Sequence, residues 1–323
     1  MHKYKKINWF WDAWCLFSVV GIWPRYIEPN LLSVTKISIP IPHLNKGLMG
    51  LKILQISDLH WNAHFSPTFK NKIIKKINSL VPDLIVFTGD FLTQAHLEDE
   101  NSLLEFLKSL KAQIGCYAVL GNHDYANYVT VNAQGDYDVE NSTSANHVLK
   151  GFKRLLNRVP PLTKKITERA KKTANHKGLI ELLEKSSFKL LHNSCQLISL
   201  NDCQLNICGV GEYTLGRSLP KLAFSNYDEN YPGIILAHNP DSIPELLNYP
   251  GHLILCGHTH GGQVNLPFIW DRFTRIENRQ FKRGLKKIGQ KYIYINRGVA
   301  GGLRFRWFSR PELTLFTLVN SCV

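Results

Sequence analysis

The stretch LILCGHTHGGQV, residues 253–264, joins four apolar residues to two histidines one residue apart and then to a pair of glycines. A short apolar run bounded by glycine reads as a buried strand, with the polar cluster at its carboxyl end. The same pattern recurs along the chain. KILQIS runs into Asp58, LIVF into the TGD that ends at Asp90, and CYAVL into GNHD at 121–124; QLNICGVG runs into Glu212 and GIILA into His238. Between the first three runs, Phe69, Ile73, Ile77 and Leu80, and then Leu103, Phe106, Leu107 and Leu110, fall on helical faces. Strand alternating with helix predicts an α/β sheet, and KYIYIN and ELTLFTL read as late strands that close the domain.

In an open α/β sheet the crevice lies beyond the carboxyl ends of the strands. That rule gathers Asp58, His60, Asp90, Asn122, His123, His238, His258 and His260. Their oxygens and nitrogens suit manganese, iron or zinc. On an extended segment, D-x-H and H-x-H place alternate side chains on one side. Gly257 is expected to let the chain turn as it leaves its strand, and Gly261 and Gly262 to let the backbone pass close to a metal or phosphate. The donors are too many for one tetrahedral ion. Two cations about 3.5–4 Å apart, sharing a carboxylate, would use them all and suit in-line attack at phosphorus.

The ordered set of D-x-H at 58–60, GD at 89–90, GNHD at 121–124, a lone His238 and GHTH at 257–260 resembles the calcineurin-like metallophosphoesterase family. GHTHGGQVNLP, HNPD and NRG resemble its membrane-associated bacterial branch, over roughly 51–125 and 178–318. The resemblance implies a central β-sandwich flanked by helices. It implies that Asp58, His60 and His260 hold one divalent metal, that Asn122, His238 and His258 hold a second, and that Asp90 bridges both. His123 would face the phosphate without binding metal, and Asp124 would orient it. Manganese is the metal implied, with iron or zinc as alternatives. Within that branch the chain resembles enzymes that split the diphosphate of UDP-2,3-diacylglucosamine into lipid X and UMP. A nucleotide-linked lipid substrate at the cytoplasmic face of the inner membrane is therefore expected, with no obligate protein partner. Another lipid phosphate, or nucleic acid cut by a nuclease sharing the dimetal core, is the alternative.

Several residues carry two readings. Arg217 and Arg297 either clamp a phosphate or make surface ion pairs. Trp61 and Tyr125, next to ligand motifs, either stack on a base or pack in the core. Glu212 is expected to be structural or to support a ligand.

Outside the motifs, 39 Lys and Arg against 25 Asp and Glu give a formal charge of +14, which favours a polyanionic neighbour. Seven cysteines without C-x-x-C spacing read as reduced, mostly buried thiols rather than a zinc ribbon or a disulfide framework. Residues 1–30 form a segment apart from the domain at 31–323. INWFWDAWCLFSVVGIW, at 7–23, would span about 25 Å as a helix, short of the roughly 30 Å hydrocarbon core. Its aromatics Trp9, Phe10, Trp11, Trp14 and Trp23 beside MHKYKK suit an anionic membrane surface better than nucleic acid. An insertion at 126–177 shows no strand signal. Within it Val148, Phe152, Leu155, Leu156 and Val159 oppose Lys150, Lys153, Arg154 and Arg158, the pattern of a basic helical lid or a solvated cap.

Overall fold

The structure, a computed structural model, describes residues 2–140, 161–200 and 203–321. Its strands are β1 Ser33–Ile41, β2 Lys52–Ile56, β3 Leu84–Thr88, β4 Gly115–Val119, β5 Val129–Val131, β6 Tyr137–Val139 and β7 Phe188–Leu190. They continue with β8 Ser194–Leu200, β9 Cys203–Gly209, β10 Gly233–Leu236, β11 Leu253–Cys256, β12 Gly284–Ile288, β13 Lys291–Ile295 and β14 Glu312–Asn320. The main helices are α1 His2–Phe17, α2 Pro67–Ser79, α3 Glu100–Ser109, α4 Glu168–Lys172 and α5 Lys177–Lys185.

Two six-stranded sheets result, in the orders β1-β14-β2-β3-β4-β7 and β12-β13-β11-β10-β9-β8. Residue alternation decides which face each side chain joins. Ile53, Leu84, Val86 and Val119 of the first sheet meet Leu205, Ile207, Leu236, Leu253 and Leu255 of the second in a dry interior. The alternate set, Leu54, Ile56, Ile85 and Phe87, turns outward onto Phe69, Ile73 and Ile77 of α2, Phe106 and Leu107 of α3, and Leu179 and Leu183 of α5. The outer face of the second sheet is covered in the same way by Phe224, Ile243, Leu246 and Phe281. The expected α/β sandwich flanked by helices is therefore present. Buried polar contacts also tie the two sheets together: the amide of Gln55 on β2 donates to the carbonyl of Cys256 at the end of β11, 2.9 Å away, the Tyr294 hydroxyl on β13 donates to Glu312 on β14, and the Asn296 amide donates to the Thr314 hydroxyl.

Three sequence expectations need correction. The insertion is not all helical. It opens with the β5–β6 hairpin, turned at Gly135 (φ 93°), and ends with the five-residue α4. Strands of three residues are too short to show a period. The basic amphipathic run at 147–159 lies outside the described residues. Next, Cys195 and Cys208 face each other across the antiparallel β8–β9 pair and are joined as a disulfide, so they are not free thiols. Finally β1, β8 and β12 went unread. They are outer strands with exposed positions, so no continuous apolar run marks them.

At the N-terminus α1 runs into wide, π-type turns over Ser18–Ile27. Among the described residues, no helix is long and apolar enough to cross a membrane. Trp9, Phe10, Trp11, Trp14, Leu16 and Phe17 all stand exposed. The end of this segment is nevertheless tied down. Buried Glu28 accepts bonds from the backbone of Phe308 and Ser309 and from the Trp23 indole.

Candidate metal centre

Strands β2, β3 and β4 are parallel neighbours in one sheet, and β10 and β11 in the other. Their carboxyl ends meet at one edge of the sandwich. The first sheet delivers Asp58, His60, Asp90 and Asn122, and the second delivers His238, His258 and His260. Asp90 sits between two groups: its Oδ2 is 3.5 Å from His60 Nε2 and 3.3 Å from His238 Nε2. On one side His60 Nε2 is 3.1 Å from His260 Nε2, which is 3.5 Å from Asp58 Oδ1. On the other, Asn122 Oδ1 is 3.2 Å from His238 Nε2 and 3.0 Å from His258 Nδ1.

The tautomers follow from the outward bonds. His238 Nδ1 lies 2.7 Å from the Thr88 carbonyl and His260 Nδ1 3.1 Å from that of Ala300, so each Nδ1 carries a proton and, in the neutral ring, Nε2 turns its lone pair inward. The Asn122 amide donates to the Val129 carbonyl, leaving its oxygen aimed at the cluster. Burial lowers His60 to about 4 and His258 to about 3, so both are neutral. Burial opposes charge on Asp90 and His238 as well, but their mutual attraction holds the carboxyl well below its usual range and the imidazole well above, so in the metal-free site His238 Nε2 holds a proton toward Asp90 that a cation would displace. Around that shared proton, carboxylate, amide and imidazole donors converge, an arrangement that fits divalent cations between them.

The backbone reaches this geometry by an unexpected route. Asp58, His60, Asp90, His258 and His260 all have positive φ, between 46° and 68°. D-x-H and H-x-H are therefore kinked, not extended, and left-handed turns of this kind in non-glycine residues are costly and cluster at functional sites. Gly257 is needed for contact rather than for turning: a Cβ there would stand 1.9 Å from Ser57 Oγ and 2.6 Å from Asp58 Oδ2. Gly261 (φ 63°) is crowded by Arg297 and Ser309, not by the cluster.

His123 lies at the rim, its Nε2 3.9 Å from Asp90 Oδ2. Its Nδ1 accepts a 2.8 Å bond from the Gln94 backbone, so the neutral ring carries its proton on Nε2, toward the cluster. Asp124 does not orient it. That carboxylate is buried and instead accepts from the backbone of Leu92 and Gly121, pinning the loop after β3 to the loop after β4.

The four expected substrate contacts resolve otherwise. Trp61 is 2% exposed and stacks on Phe65, and Tyr125 is fully buried, so neither offers a face to a base. Arg217 caps the Tyr125 ring and donates to the Thr173 carbonyl, stapling the end of the insertion to the core. Arg297 pairs with Glu312 at 2.9 Å. Glu212 is fully buried, with one oxygen capping Thr214.

Sequence reading missed Arg306. It is 2% exposed, and its guanidinium donates to the carbonyls of Arg297, Gly298, Ala300 and Ser309. It also lies 3.4 Å from His260 Nδ1. It thereby holds the loop whose Ala300 carbonyl sets the His260 tautomer. Its only signal was a single Arg between Phe305 and Trp307.

The sandwich with its crowded edge defines a class, and comparison with known proteins agrees. Residues 51–262 match the calcineurin-like phosphoesterase family, and the chain belongs to it. It is a metal-dependent phosphoesterase with a candidate dimetal site. The chain is 39% identical to "UDP-2,3-diacylglucosamine pyrophosphatase LpxG" of Chlamydia muridarum, over 91% of both proteins. The Chlamydia trachomatis protein of the same name is 37% identical, again over 91% of each. "Phosphodiesterase YaeI" of Escherichia coli is 27% identical over 83% of this chain and 82% of that one.

Proposed function

We propose that this enzyme hydrolyses the diphosphate of UDP-2,3-diacylglucosamine to lipid X and UMP, working at the cytoplasmic face of the inner membrane. What carries the reading is the pairing of two features: a seven-donor cluster with Asp90 at its centre, and 39% identity along 91% of a relative that bears this activity in its name. Asp58, His60 and His260 would hold one cation and Asn122, His238 and His258 the other, with Asp90 shared. Manganese suits the mixed carboxylate, amide and imidazole set. When bound, such a pair supplies Lewis acidity toward a phosphoryl oxygen and an activated water.

The protein's own part is positioning and hydrogen bonding. His123 points Nε2–H at the space beside Asp90, where it can bond a phosphoryl oxygen or the departing group. Asp124, Gln94 and Arg306 hold the loops that aim these side chains. His123→Ala is expected to lower turnover about a hundredfold while leaving the metal content unchanged. Loss of metal from that variant would make His123 a ligand instead.

Exposed Trp9, Trp11 and Trp14 suit the headgroup region of an anionic bilayer. Replacing all three by serine should cut co-sedimentation with phosphatidylglycerol vesicles by about a hundredfold, without slowing hydrolysis of a soluble aryl phosphodiester. Equal sedimentation would remove the anchor from the proposal.

The substrate is tested by offering purified enzyme UDP-2,3-diacylglucosamine, an aryl phosphodiester and single-stranded DNA. UMP release should far outpace the other two reactions. Faster cleavage of another lipid phosphate would retain the fold and the cluster but overturn the substrate, and faster DNA cleavage would make the enzyme a nuclease.

A further inference from the structure

Two loops leave the metal cluster and pair with each other. After His260 the chain turns outward, and Val264 bridges Trp307. Trp307 N–H donates to the Gln263 carbonyl, Asn265 N–H donates to that of Trp307, and the Gln263 amide reaches the carbonyls of Leu303 and Phe305. At the tips two phenylalanines face water: Phe268 is 95% exposed and Phe308 57%. Both have positive φ, 65° and 56°, so the backbone holds these rings outward in turns that a phenylalanine rarely adopts. Gly301 of the second loop lies against the His260 ring.

This rim is continuous with the base of the N-terminal helix. Arg306 N–H donates to the Pro24 carbonyl, Arg25 to that of Arg304, and Arg304 to Asn30. Its exposed charge is mainly positive: Arg25, Arg283, Arg304 and Arg310 stand exposed, and half-buried Asp271 is paired with Arg279. Exposed apolar rings within a basic surface complement an anionic bilayer, whose headgroups attract the cations and whose interface removes the rings from water.

We propose that the loops at 263–270 and 301–308 form a second membrane contact, seating Phe268 and Phe308 in an anionic phospholipid bilayer beside the metal cluster. This rests on the membrane-surface reading above and deepens it: the enzyme lies with the rim of its site on the lipid, not tethered at a distance. A lipid-linked diphosphate then reaches the cluster without leaving the headgroup layer.

The test compares the full chain with its Phe268→Asn, Phe308→Asn double variant, since asparagine tolerates both backbone conformations. Binding to phosphatidylglycerol vesicles should weaken about tenfold, and UMP release from vesicle-borne substrate should fall with it. Turnover of a soluble phosphodiester should stay the same, which reports an intact site. If the wild-type chain binds vesicles and the variant binds equally well, the rim contact is wrong and the helix anchor survives. If the wild-type chain does not bind at all, the membrane reading fails and takes the rim with it. Should sedimentation velocity show a wild-type dimer that the variant breaks, the rim is an interface between copies and the proposal is overturned.

Discussion

Asp90→Asn is expected to lower turnover by about a thousandfold or more, roughly 4 kcal/mol of barrier. Asparagine keeps the shape of the side chain but removes its charge and one acceptor. Asp90 Oδ2 lies within 3.5 Å of imidazole nitrogens on both sides of the cluster. Its Oδ1 accepts the His123 backbone N–H at 3.0 Å, so the same carboxylate also sets the loop that carries His123. No other group in the cluster touches both halves and that loop. The neutral variant should retain fewer than two metals per chain by elemental analysis. Arg217→Ala, which unpins only the insertion, should cost less than tenfold. Equal losses in the two variants would show that Asp90 is not shared between two ions.

Removing the metal is the second large effect. Dialysis against a chelator should abolish hydrolysis, and manganese should restore it. A readout apart from activity is thermal unfolding. Each site saturated to a hundred times its Kd adds about 2.7 kcal/mol of stability, so the reloaded protein should melt several degrees higher. The sign follows from the structure. Without cations, burial raises the Asp58 carboxyl to about 7, opposing the charge that a bound cation would favour. Full activity in protein free of metal by elemental analysis would defeat the dimetal site.

The cluster was legible because each candidate ligand sits within four residues of a strand end, where a change from apolar to polar is visible in one dimension. His258 and His260 needed only their own neighbours to be noticed. What surrounds the cluster was not legible, because long-range contacts decide it. Asp124 reads as a partner of His123 in the sequence, yet it bonds Leu92 and Gly121 across two loops. Trp61 and Tyr125 follow ligand motifs but turn into the core; Trp61 follows the left-handed His60, after which a side chain cannot be assigned a face by alternation. Arg306 looks like a surface cation until a carbonyl cage closes around it. Among strands, the central ones announced themselves by continuous apolar runs, and outer β1, β8 and β12 did not.

The donor set is split across the seam of the sandwich, four residues from one sheet and three from the other. Neither layer alone can grip an ion pair, so affinity for metal arises only once both have docked in the right alignment. Cation loading then serves as a proofreading mark for assembly, and Gln55, a buried polar rivet between the layers, becomes a place where a distant mutation could loosen the grip without touching a ligand.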